Sequence, residues 1–220
     1  MFSVEAIKEW IMMIPIVLIA LTFHEFAHAW VSTKLGDPTP RMTGRLSLNP
    51  LAHLDPIGAV LMLVTRFGWA KPVQINASYY KNPKLGMALT AAAGPLMNLA
   101  LAIVSMLLYT LVFIITYKTR VISEVACGNI GYFLQLLALV NLSFMIFNII
   151  PIPPLDGSRV LSIILPTNAY FRVQKYERYS FILIIVLSLS GFFGRFIGTG
   201  VSFIMDRIIW LCNLIVQAVL

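Results

Sequence analysis

The chain has 220 residues, 59% of them hydrophobic and 11% charged, with a mean hydropathy of +0.87, which excludes a soluble domain and indicates an integral membrane protein. The formal charge of +7 does not call for nucleic acid, because the basic residues fall in the loops between apolar runs, where membrane-orientation signals sit and lipid is the partner. Two cysteines, Cys127 and Cys212, match no metal-binding or redox spacing.

A helix needs about 20 apolar residues to cross a bilayer. The first such run, residues 10–32, follows Glu5, Lys8 and Glu9 and lacks a small-residue cleavage site, so it reads as a span and not as a removable signal peptide. Residues 57–65, IGAVLMLVT, are apolar but too short to cross, and read as a re-entrant or interfacial segment. Next, GWAKPVQIN at residues 68–76 alternates apolar and polar positions around Pro72, the pattern of an edge strand or short hairpin, with residues 41–48 as a candidate partner. Such an edge either takes up an extended substrate by strand addition or is an ordinary surface hairpin.

Runs at 86–116 and 130–150 follow, the first longer than a crossing requires and so expected to tilt or to extend beyond the membrane. Two more lie at about 180–194 and 197–219. The expected fold is an all-α polytopic membrane protein of about five to six transmembrane helices, with a short re-entrant segment and β-hairpin between the first two core spans. It forms one domain over residues 1–220, with core spans at about 10–32, 86–116 and 130–157 and accessory spans within about 180–219.

Basic residues mark cytoplasmic loops. Lys34, Arg41, Arg45, Arg66, Lys71, Lys81 and Lys84 lie within 33–84, and Arg159, Arg172, Lys175 and Arg178 within 151–180, against only Lys118 and Arg120 in 117–129. The expected topology is therefore a multi-pass protein of the cell membrane with its N-terminus outside. The cytoplasmic end of the first span can then meet the segment just beyond residue 150.

That first span contains LIALTFHEFAHAW, residues 18–30, in which His24, Glu25 and His28 interrupt an apolar run. An ionisable residue at the bilayer centre costs about 2.5–3.5 kcal/mol on insertion scales, so the three require a reason. Positions i and i+4 share a helix face, so His24 and His28 can present imidazole nitrogens to one ion. Glu25 projects about 100° further round, beside the ion, where a carboxylate can take a proton from water.

A catalytic zinc site takes three protein ligands. The remaining candidates are His53, Asp55, Asp37, Glu124, Asp156, Glu177 and Asp206. Asp156 stands out, because FNIIPIPPLDG, residues 147–157, leads to it from an apolar span. Its prolines stop helix propagation and Gly157 permits a sharp turn, which can hold a carboxylate at membrane depth against a wet cavity.

HEFAH together with the pattern Asn148-x-x-Pro151-x-Pro153-x-Leu155-Asp156-Gly157 resembles the site-2 protease family of intramembrane zinc metalloproteases. The resemblance implies one zinc ion per chain held by His24, His28 and Asp156, with Glu25 as catalytic acid and base. It implies a role for Asn148 in handling substrate or transition state, where its amide could donate to a developing oxyanion. AAAGPLMN, residues 91–98, is similar to the family's Gly-Pro-x-x-Asn element and implies a positioning or substrate-binding role for Asn98. GRLSLNPLAHLDPIG, residues 44–58, resembles a compact prokaryotic subgroup, and the likeness runs from about residue 10 to 165. The 117–129 loop is far too short for the PDZ domain many bacterial relatives carry, so substrate selection by such a domain is not expected.

His53, near Asp55, could contact substrate over the site, bind a second metal, or cap a turn. Asn141 reads as a packing residue. Asp206 and Arg207 read either as an internal ion pair or as a sign that the last run lies at the interface. The expected function is a zinc-dependent endopeptidase cutting transmembrane segments of single-span membrane proteins, after an upstream protease has trimmed the extracytoplasmic part. The rival from another class is a metal-ion transporter or channel using the same His and Asp residues.

Overall fold

A computed structural model of the chain describes residues 4–55, 71–161, 163–166 and 177–220. Helix α1 (Val4–Lys34) carries HEFAH in its last third. It ends where Gly36 adopts a φ of +107°, and the Gly36 and Asp37 amides fold back to the carbonyls of Thr33 and Ser32. This paired closure needs a residue free to take positive φ, and it returns Asp37 over the helix end.

Beyond it come a one-turn helix α2 (Thr39–Met42) and two 3-10 turns, η1 (Pro50–Ala52) and η2 (Ala77–Tyr79), each begun by an asparagine whose side chain accepts an amide hydrogen. Then follow α3 (Pro83–Thr119) and α4 (Glu124–Ile149), joined by four residues that leave no room for an inserted domain. The chain continues through α5 (Asp156–Leu161), α6 (Glu177–Leu189) and α7 (Phe192–Val219).

Four helical segments are long and apolar enough to cross a membrane, namely Ile11–Lys34, Pro83–Thr119, Glu124–Asn148 and Phe192–Val219. The expected count of five to six is thus reduced to four among the described residues. The run expected at 180–194 fails because the helix stops at Leu189 and the chain turns at Gly191, with φ +74°. Thirteen residues rise only about 20 Å, short of a hydrocarbon core of about 30 Å.

The expected hairpin is also corrected. The described residues contain no β-strand. Within 41–48 the chain completes α2 and then turns at Gly44, with φ +69°, so it offers no extended edge to pair. Residues 71–76 have no regular pairing, while the re-entrant segment expected at 57–65 and the beginning of GWAKPVQIN lie outside the described residues.

The chain divides into two compact units. One comprises Met1–Ala20, Asn98–Phe147 and Leu187–Leu220. Its core is Ala102, Met106, Ala138, Leu142, Ile146, Val201, Met205, Ile208 and Cys212, where alanines let helices approach closely. The other comprises Leu21–Met97 and Asn148–Val186, and contains the HEFAH turn and Asp156.

Candidate metal centre

His24 and His28 lie one turn apart on α1, their rings edge to face with centroids 4.6 Å apart. The Thr90 carbonyl lies 2.7 Å from His28 Nδ1. A carbonyl can only accept, so Nδ1 carries the proton and Nε2 presents a bare lone pair. That nitrogen stands 3.0 Å from His24 Nε2 and 3.2 Å from Asp156 Oδ2, and His24 Nε2 is also 3.2 Å from the same oxygen.

The segment after α4 delivers the carboxylate. Pro151, Pro153 and Pro154 supply no amide hydrogens, and a short turn made by Ile152 N to the Ile150 carbonyl and Leu155 N to the Ile152 carbonyl leads into α5. Asp156 is the first residue of that helix, so the expected unwound stretch ends just before it. A Cβ on Gly157 would lie 2.1 Å from the Ile149 carbonyl oxygen and 2.6 Å from that of Ile150. The chain can fold back on the end of α4 only because residue 157 has no side chain.

These donors fit zinc. Among the described residues, His24, His28 and Asp156 form the one group of three ligand types drawn together tightly enough to hold an ion. Bonds of about 2.0–2.2 Å in a tetrahedron space neighbouring ligand atoms by roughly 3.3–3.5 Å, close to the separations seen. Asp156 Oδ2 is buried and accepts no hydrogen bond, although both imidazole nitrogens are at hand. A buried carboxylate oxygen so placed is stable only beside a positive charge. Room is also kept for the rings, since a Cβ on Gly94 would lie 2.5 Å from both His24 Cε1 and His28 Nε2.

Glu25 is partly buried on the same turn, and its Oε2 accepts the amide hydrogen of Val73 at 3.1 Å. The segment that supplies this amide is tied down on both sides. The Lys71 amide donates to the His53 carbonyl, and the Asn76 amide to Asp37 Oδ2.

Asn148, His53 and Asn98 are the other expected residues. Asn148 occupies the last turn of α4, partly buried, eight residues before Asp156 in sequence. His53 is fully buried at the end of η1, where its Nε2 donates to the Ser47 carbonyl at 2.7 Å. It holds a turn and is not in the group of three. Asn98 is fully buried in the other unit, its amide donating to the Ala20 carbonyl and to Asn141 Oδ1, so it ties helices together. Asn141 shares that bond as a packing residue should.

Among the rejected third ligands, Glu124 pairs with Arg120 at the surface. Asp206 is exposed and forms no ion pair with Arg207, whose guanidinium lies over Phe203 instead. Asp37 is fully buried, yet its acceptor capacity is filled by Ser32, Thr39 and Asn76. Gly94 and Thr90, which the sequence did not mark as parts of the site, face the two imidazoles. Only Gly94 left a signal, a Gly-Pro pair inside an apolar span.

The family model "Peptidase family M50" matches residues 12–190. "Putative zinc metalloprotease YwhC" of Bacillus subtilis is 38% identical over 173 residues, covering 79% of this chain and 78% of that protein. "Putative zinc metalloprotease Rip2" of Mycobacterium tuberculosis is 26% identical over 187 residues, covering 82% of this chain and 68% of that protein. No solved structure matches the chain.

Proposed function

The chain belongs to peptidase family M50, the site-2 proteases, and on that ground we propose how its residues cut a transmembrane segment of another protein. It is a multi-pass intramembrane zinc metalloprotease acting on membrane proteins. The observation that carries the reading is the convergence of His24, His28 and Asp156 on one point, with Glu25 on the same helical turn.

His24, His28 and Asp156 would hold the zinc. When bound, zinc lowers the pKa of water at the site and polarises the scissile carbonyl. Glu25 takes the proton from the attacking water and returns it to the leaving amine. The Val73 amide holds one oxygen of that carboxylate, which fixes its orientation and leaves Oε1 to carry the proton. Asn148 donates its side-chain amide to the oxyanion as the carbonyl becomes tetrahedral.

A helical substrate hides its carbonyls in i to i−4 bonds, so it must unwind before it is cut. Residues 71–76, whose Val73 amide meets Glu25, run beside the catalytic carboxylate, where the unwound stretch must lie. A substrate helix with central Gly or Asn should therefore be cut faster than one of uninterrupted leucine, and equal rates would remove the requirement for unwinding.

The distribution of basic loops supports an N-terminus outside and an active site near the cytoplasmic face, from which water enters. The substrates are single-span proteins first shortened on the far side by another protease. Residues 10–32, 86–116 and 130–157 form the catalytic core of one domain, with residues 180–219 accessory to it.

The transporter alternative is not favoured. Membership of a peptidase family and a carboxylate fixed by prolines and Gly157 suit a stationary ion better than one in transit. The deciding variant is Glu25→Gln, which should keep its zinc, lose proteolysis and show no metal flux.

A further inference from the structure

The hydrogen bonds behind His28 do not stop at Thr90. The Thr90 hydroxyl lies 3.1 Å from the Tyr80 hydroxyl, which lies 2.7 Å from Ser32 Oγ, and Ser32 donates to Asp37 Oδ2 at 2.8 Å. An ionised carboxylate can only accept, so the single Ser32 proton points to Asp37. Tyr80 must then donate to Ser32, and Thr90 to Tyr80. Every proton in the chain is thereby directed toward Asp37, an arrangement in which each bond polarises the next.

The chain is enclosed and shaped for these residues. Ser32, Asp37 and Thr90 are fully buried and Tyr80 is 5% exposed. The Tyr80 ring lies against Gly86, where a Cβ would come within 2.3 Å of its Cδ2. Ser32 stands one turn beyond His28 on the same face of α1, while Thr90 belongs to α3 and its carbonyl sets the orientation of His28. Tyr80 bonds to both.

We propose that Tyr80 is a positioning residue of the metal centre: through Ser32 and Thr90 it sets the distance between α1 and α3 at His28, and so the aim of that ligand's Nε2. It touches neither ion nor substrate. Partners of this kind behind metal-ligating histidines typically change metal affinity by about 10–100-fold when removed. Because Tyr80 acts one residue further back, the lower end of that range applies.

The proposal rests on the zinc reading, and its test separates the two. Wild type, His28→Ala, Tyr80→Phe and Thr90→Val are purified in detergent, and zinc affinity is measured by competition with a chromophoric chelator, alongside the melting temperature of each metal-free protein. Tyr80→Phe keeps the ring over Gly86 and removes only the hydroxyl. Its zinc dissociation constant should rise roughly tenfold, Thr90→Val should match it, and the double variant should add little, because both break one chain.

Should Tyr80→Phe fold poorly, Thr90→Val carries the comparison from the other side of the same bond. Unchanged zinc affinity in the folded variants, even with a lowered melting temperature, would mean that the network serves the fold alone and would overturn the proposal. Failure of wild type to bind zinc more tightly than His28→Ala would instead bring down the zinc reading beneath it.

Discussion

Single residues in the centre divide by whether their chemistry is visible in their names. His24, Glu25, His28 and Asp156 could be read from the sequence because imidazoles and carboxylates are costly in an apolar run and few other roles explain them. Ser32, Tyr80 and Thr90 could not, since a hydroxyl acquires its role only from what faces it, while Gly94 showed only as half of a Gly-Pro pair. His53 left three roles open, because a histidine beside an aspartate suggests chemistry as readily as a turn, and in the fold its Nε2 donates to the Ser47 carbonyl. Gly94 keeps open the space that the two ligand rings occupy. In Gly94→Ala the new methyl would occupy space 2.5 Å from two imidazole atoms, so zinc affinity should fall on the order of tenfold or more, measured by chelator competition. Full zinc occupancy at wild-type affinity would show that the rings can move aside at no cost to ligation.

At the level of elements, Gly157 decides whether α5 can start where Asp156 is needed. Gly157→Ala would drive a methyl into the carbonyls that end α4. Forcing a chain apart in this way costs about 1–3 kcal/mol, and here it also withdraws a ligand. The variant should melt several degrees lower in detergent and copurify with less than half the zinc of wild type. A normal melting temperature with normal zinc would contradict the close approach. The long apolar runs were legible as spans because hydropathy and length suffice for that. Their ends were not, since helices α3 and α4 extend several residues past the apolar stretch through polar caps and turns. Residues 180–194 misled because the apolar composition continues through the break at Gly191. The partner expected at 41–48 failed because Pro38 and Pro40 begin a helical turn there, a preference of local backbone that alternation of polarity does not register.

For the molecule as a whole, Asp37 joins the end of α1 to the loop that crosses Glu25. Burial alone would raise its pKa, but hydrogen bonds from Thr39, Asn76 and Ser32 outweigh that and hold it below its ordinary value. A carboxylate with a lower pKa in the folded state than in the unfolded one contributes its full stability above the unfolded value, near 3.8, and loses it as pH falls through the folded one. Asp37→Asn should therefore cost about 1.5–3 kcal/mol at pH 7, and the gap to wild type should narrow as pH falls below about 4. A pH-independent gap in denaturant or thermal unfolding would show that the charge contributes nothing. The reaction that this scaffold serves depends on Glu25. Wild type and Glu25→Gln are each co-expressed with a single-span substrate and purified for zinc content. Both should carry about one zinc per chain, with cleavage of the substrate reduced at least 100-fold in the variant. Cleavage by Glu25→Gln at the wild-type rate would show that Glu25 is not the catalytic acid and base.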